Sequence, residues 1–264
     1  MTALLAELSR RDPVLWVTGL VQLALAAAFV VGLAVDDRIL LGVNPWLKPL
    51  KFAVSITIYV WTVAWLLGDV RAGAPALARV ISLGTSAAML VEIAGIALQS
   101  LRGTTSHFNE RTPFDSAVFG LMGLMILLST LLAAALLVLY FTVPTDLPPP
   151  YVWAVRLGLV LFLFGSTVGP MMVSRGAHAV GVPDGGPGLP FVNWSTKGGD
   201  LRVAHALGLH ALQILPLAAW ALLQLGRLDG SQPTAAVFGL AALLALATVA
   251  VLRQALAGHP LWPG

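Results

Sequence analysis

Glu92, Gln99 and Arg102 recur at i, i+7 and i+10 in an otherwise apolar run, so as a helix they share one face. An ionised carboxylate in hydrocarbon costs on the order of 3 kcal/mol even on lenient insertion scales, so Glu92 must face inward and be neutral or paired. Such a carboxyl can work as a general acid or base near neutral pH; the alternative is a structural tie between helices. The next segment, 102–115, holds more polar side chains than a link between helices requires. Asp115 can cap the helix that follows, but His107 and Asn109 have no such role. This loop is expected to fold inward over a ligand, which non-helical backbone does at membrane depth only where protein or a watery cavity shields it.

Cations accompany these groups. Lys48 and Lys51 flank Pro49, and Lys51, Ser55 and Tyr59 follow at i+4 intervals as a polar stripe; both lysines can equally snorkel to phosphates. Downstream, Asp200, Arg202, His205, His210 and Gln213 fall within one apolar run. His205 and His210 are five residues apart, about 140° around a helix, so they do not chelate one metal together. Residues 175–200 interleave seven glycines and three prolines with His178, Phe191, Asn193 and Trp194, and Pro183–Gly186 reads as a tight turn. A 26-residue stretch of this kind without obvious secondary structure is expected to be a positioned binding loop or lid.

The elements that must carry these residues are membrane helices. Of 264 residues, 58% are hydrophobic and 10% charged, with mean hydropathy +0.88, whereas soluble domains are about one quarter charged. Runs near the roughly 20 apolar residues that span hydrocarbon fall at about 13–35, 49–70, 76–102, 114–142, 152–174, 201–224 and 234–255. Asp12 and Pro13 suit the N-cap and first turn of the first run, and residues 1–12 are too short to cross. The expected fold is one all-α transmembrane domain over 1–264, a seven-helix bundle with the Gly/Pro-rich loop covering one face. Gly165–Pro170 supplies small residues for close helix packing and a bending proline.

Seven crossings sort the connections onto two faces. Face B takes the N-terminus and the links near 71–75, 143–150 and 225–233, with Arg71, Arg156 and Arg227, which read as plain connectors. Face A takes 36–48, 103–113 and 175–200, with most of the polar side chains. Lys and Arg number nine on face A and six on face B, which by the positive-inside rule favours a cytoplasmic face A. Several face A cations, however, sit among the site candidates, and Arg10 and Arg11 abut the first span. The N-terminus is therefore expected to be cytoplasmic, in a bacterial cytoplasmic membrane.

The absence of cysteine excludes thiolate metal sites, disulfides and cysteine nucleophiles. No lysine in the last span means no Schiff base of the retinal type there, and no phosphate-loop, dinucleotide-binding, zinc-protease or nucleophile-elbow motif occurs. The basic residues are not clustered or interleaved with aromatics, so no nucleic-acid surface is expected. The expected function is binding, and processing or carrying, of an amphipathic or anionic small molecule or lipid at a polar site open to face A. Glu92, His107 and His205 would be its acid–base groups, and Lys51, Gln99, Arg102, Asn109, His178, Trp194 and Arg202 its binding groups. The alternatives are a haem b redox protein, with His210 and His107 or His178 as axial ligands, and a non-catalytic sensor or assembly factor.

Overall fold

The computed structural model describes residues 2–226 and 230–263; Arg227, assigned above to a connection on face B, lies outside them. It is an all-α membrane bundle with seven helices long and apolar enough to span a bilayer. A short helix α1 (Thr2–Arg11) precedes α2 (Pro13–Val35), α3 (Leu47–Val70), α4 (Pro75–Leu101) and α5 (Pro113–Thr142). The fifth span is two helices, α6 (Pro149–Ser166) and α7 (Val168–Arg175). They break at Thr167 because Pro170 has no N–H for the Ser166 carbonyl. Strands β1 (Ala179–Val180) and β2 (Gly199–Asp200), then α8 (Leu201–Leu225) and α9 (Gln232–Leu256), complete the chain. Proline in the first turn starts α2, α4, α6 and α9, where its missing N–H costs no helical bond. Two compact units, Met1–Leu136 and Leu137–Gly264, divide the chain within α5.

In the first unit, aromatic rings fill spaces that glycines leave. A Cβ on Gly19 would collide with Trp61, which stacks on Trp16 at 5.0 Å, and one on Gly32 would collide with Trp46. At the face A end, Arg38 donates to the carbonyls of Leu101 (3.1 Å) and Ser100 (3.3 Å), answering the open C-terminus of α4. Asp36 receives Arg38 and the Trp46 indole N–H (2.8 Å), and the Arg38 guanidinium holds its carboxyl well below the usual carboxylate range.

The face B end is more than a set of plain connectors. Asp12 is buried, caps α2 by accepting from Leu15 N (2.9 Å), and also receives Ser82 Oγ (2.9 Å) and the Arg71 guanidinium. Arg11 bonds Asp69 (2.5 Å) and Glu7 (2.9 Å) and lies over the Trp65 ring at 4.1 Å. Helix α1 (Thr2–Arg11) is thus docked on the bundle and, at ten residues, too short to cross.

In the second unit, α6 and α8 approach as closely as backbones allow: a Cβ on Gly165 would sit 2.8 Å from Gly208, and one on Gly208 2.6 Å from Gly165. This bears out the close-packing role of Gly165. The 175–200 loop is not without secondary structure, as had been expected. Ala179 pairs antiparallel with Asp200 and Val180 with Gly199, and a Cβ on Gly199 would lie 1.9 Å from the Ala255 carbonyl of α9. Glycine is required there because the ladder is seated directly on the end of α9.

Candidate functional site

The first unit builds a site around Glu92. This residue is 1% exposed, and neither carboxyl oxygen has a hydrogen-bond partner among the described residues. His107 Nε2 lies 3.8 Å from Oε1, and Lys48 is close enough for its charge to act on the carboxyl. Glu92 lies nine residues before the end of α4, about 14 Å along the axis. For His107 to reach it, the 102–112 connection must dip back into the bundle, as its composition led us to expect.

The backbone and neighbouring rings hold it there. Phe108 adopts φ +55°, a left-handed conformation costly for a bulky residue, which turns the chain immediately after His107. Ser106 Oγ lies 3.1 Å from His107 Nδ1, leaving Nε2 towards Glu92. Phe52 (5.9 Å), Phe119 (6.0 Å) and Phe108 (6.2 Å) surround the imidazole, and Lys48 Nζ lies 5.9 Å over the Phe52 ring. The chemistry of the cluster is that of a buried acid facing a base that is 23% exposed. A carboxylate so placed needs a proton or a partner.

Gln99, Arg102 and Asn109 are spent on building this end of the unit. Arg102 binds the Asp115 carboxylate, donates to Gln99 Oε1 (2.5 Å) and lies 4.7 Å over the Phe114 ring; Gln99 Nε2 donates to Asp115 (2.8 Å). Asp115 is not the N-cap of α5. Thr112 is: its Oγ1 accepts from Asp115 N (3.1 Å), the N-cap bond, and its hydroxyl donates to the Asp115 carboxylate (2.7 Å). Asn109 is buried and donates to Thr104 Oγ1 (3.0 Å) and the Thr105 carbonyl (2.9 Å), bracing the loop. Lys51 is half-buried in the first turns of α3.

No family model, curated protein or solved structure matches the chain. What it does must therefore be argued from its side chains.

The second unit holds the remaining candidates. His178 Nδ1 meets Asp184 Oδ2 at 2.7 Å, while Asp184 Oδ1 accepts from the backbone N–H of Ala179 (2.8 Å). Burial pushes the Asp184 carboxyl up, but the bonds from His178 and Ala179 outweigh it and hold the group well below the usual carboxylate range. The His178 carbonyl accepts from Leu201 N (3.0 Å), which fixes the loop against the first turn of α8. His205, one turn on, directs Nδ1 at the Gly165 carbonyl (2.9 Å). A carbonyl only accepts, so that nitrogen carries the hydrogen and Nε2 presents a lone pair. Arg202 is engaged by Asp200 (2.6 Å) and the Asn193 carbonyl (2.5 Å), and Trp194 is half-buried with its carbonyl on Leu189 N. His210 is exposed on α8, with Nδ1 3.3 Å from Gln213 Oε1.

Sequence reasoning missed several groups in the first unit. Gln22 of α2 is fully buried, donates to the Met89 carbonyl (3.4 Å) and, among the described residues, leaves Oε1 without a hydrogen-bond partner, as does buried Thr85 Oγ1 of α4. Their signal was present: Ser82, Thr85, Ser86, Glu92 and Gln99 lie on the buried side of α4.

Proposed function

We propose that the chain binds an amphipathic small molecule or lipid at the Glu92–His107 site near face A, and exchanges a proton with it. The observation that carries this reading is the Glu92 carboxyl, buried without a hydrogen-bond partner and faced by an imidazole on a loop that dips inward. An apolar helix offers no structural reason for two orphaned acceptor oxygens, which leave a polar group unpaid for in a low dielectric. A ligand head group, or a proton passed through His107, satisfies them. Phe52, Phe108 and Phe119 supply apolar surface for the ligand's other part, and the charge of Lys48 favours an anionic or polar head. We place the protein in a bacterial cytoplasmic membrane with the N-terminus cytoplasmic, on the strength of Arg10 and Arg11 beside α2.

The test has two readouts. Small molecules that co-purify with the detergent-solubilised protein are identified by mass spectrometry, and the protonated-carboxyl band is followed by infrared difference spectroscopy during a pH titration. Wild type is expected to carry a ligand that Glu92→Gln loses, and a carboxyl band that shifts in His107→Ala. A carboxyl that exchanges no proton and a ligand content identical in both variants would sink the reading.

A further inference from the structure

The polar groups buried in the first unit do not stop at Glu92. Along α4, three levels have a buried polar side-chain atom without a hydrogen-bond partner among the described residues: Glu92, Gln22 Oε1 of α2 beside Met89, and Thr85 Oγ1. The backbone levels are three and four residues apart, about 4.5 and 6 Å of helical rise. Water is what normally satisfies buried polar atoms left unpaired by protein. Below Thr85, Ser82 is one turn further on and its hydroxyl is bonded to Asp12 (2.9 Å), the buried carboxylate at the face B end that also receives Arg71. Beside the file, Thr18 and Ser86 form a hydroxyl pair at 2.7 Å.

We infer that this file is a transmembrane proton pathway, running from His107 and Glu92 at face A, past Gln22 and Thr85, to Ser82 and Asp12 at face B. It rests on the reading of Glu92 as an acid–base group and adds a route to the opposite face. A proton delivered by His107 protonates Glu92. When Glu92 releases it to the adjoining water, each water or hydroxyl accepts one proton and passes on another, and the last is handed to Asp12 and then to face B. Gln22 carries no proton; it orients the water between Met89 and Glu92. The movement is down an existing pH difference or potential and needs no other reactant. The charged groups facing the two ends are Lys48 and His107 at Glu92, and Arg71 at Asp12.

The full-length protein is reconstituted in phosphatidylcholine–phosphatidylglycerol vesicles containing a pH-sensitive dye, and a potassium diffusion potential drives protons inward. Wild type is expected to acidify the lumen well above protein-free vesicles. Glu92→Gln should cut the rate at least tenfold, Gln22→Leu and Thr85→Val severalfold, and Thr142→Ala, on the exposed end of α5, not at all. The interior apolar variants keep the test available should Glu92→Gln fold poorly. Wild-type flux equal to that of protein-free vesicles, or undiminished in Glu92→Gln, overturns the pathway. If Glu92 still exchanges its proton in the infrared titration, that failure belongs to the pathway alone; if it exchanges none, the site reading falls as well.

Discussion

At the scale of single residues, two charged groups carried by α4 and its C-cap turn out to have opposite characters. Arg102 is exposed and matched by Asp115 and Gln99, whereas Glu92 is buried with no hydrogen-bond partner among the described residues. Removing a partner from a satisfied group leaves the other unpaired, which costs about 1–3 kcal/mol. Asp115→Asn, which takes the carboxylate from Arg102, Gln99 and Thr112, is therefore expected to lower thermal stability, as read by melting in detergent. Glu92→Gln exchanges an orphaned acid for a neutral amide of the same shape, and should leave the melting temperature unchanged or higher while abolishing proton exchange. A Glu92→Gln melting point falling as far as that of Asp115→Asn would make Glu92 a structural tie. The sequence displayed Glu92 plainly, since an acid in an apolar run has few explanations. It hid the partner of Arg102, because Asp115 lies across a loop and reads equally well as a helix cap. Gln22 was hidden too: a neutral amide in a hydrophobic helix carries no charge to betray it.

At the scale of elements, the length of the apolar runs was enough to place every spanning helix to within a few residues, but not to see how short segments are seated. Strands β1 (Ala-Val) and β2 (Gly-Asp) are two residues each, too short for alternation to mark them. Their anchor is the Asp184 carboxyl, which joins His178 and Ala179. Its pKa is lowered in the folded loop, so the anchor is fully present above the ordinary carboxylate range and is lost as pH falls through the lower folded value. Limited proteolysis within 185–198 should therefore accelerate only in strongly acidic buffer for wild type, but already at neutral pH for Asp184→Asn. Equal cleavage rates for the two at neutral pH would show that the ladder holds without this carboxylate. The contact between α6 and α8 makes a different demand. Gly208→Val inserts a side chain where a Cβ already comes within 2.6 Å of Gly165, and overpacking of that kind costs about 1–3 kcal/mol. The melting temperature should fall accordingly, and a variant as stable as wild type would mean the helices part without cost.

At the scale of the whole molecule, seven crossings fix which connections share a membrane face, because each helix takes the chain to the other side. Two candidate spans separate the 102–112 and 176–200 connections, so one crossing per span predicts that these connections label from one side and the 143–148 connection from the other. The break at Thr167 does not alter this expectation, since Pro149–Arg175, Thr167 included, is one candidate span of 27 residues. The chain has no cysteine, so single introduced thiols report position without background. Ser106 is buried and unsuitable, but Glu110 and Asp146 are exposed and Thr196 is half-exposed. In sealed vesicles of one orientation, an impermeant maleimide should label Glu110→Cys and Thr196→Cys together, and Asp146→Cys only after the bilayer is permeabilised, or the reverse if the vesicles are inverted. Labelling of all three from one side would require an even number of crossings between them. The proton pathway depends on the same parity: His107 and Asp12 stand at opposite faces only if α2, α3 and α4 each cross once. A thiol at Leu4, exposed on α1, completes the measurement, because it must label with Asp146→Cys and never with Glu110→Cys.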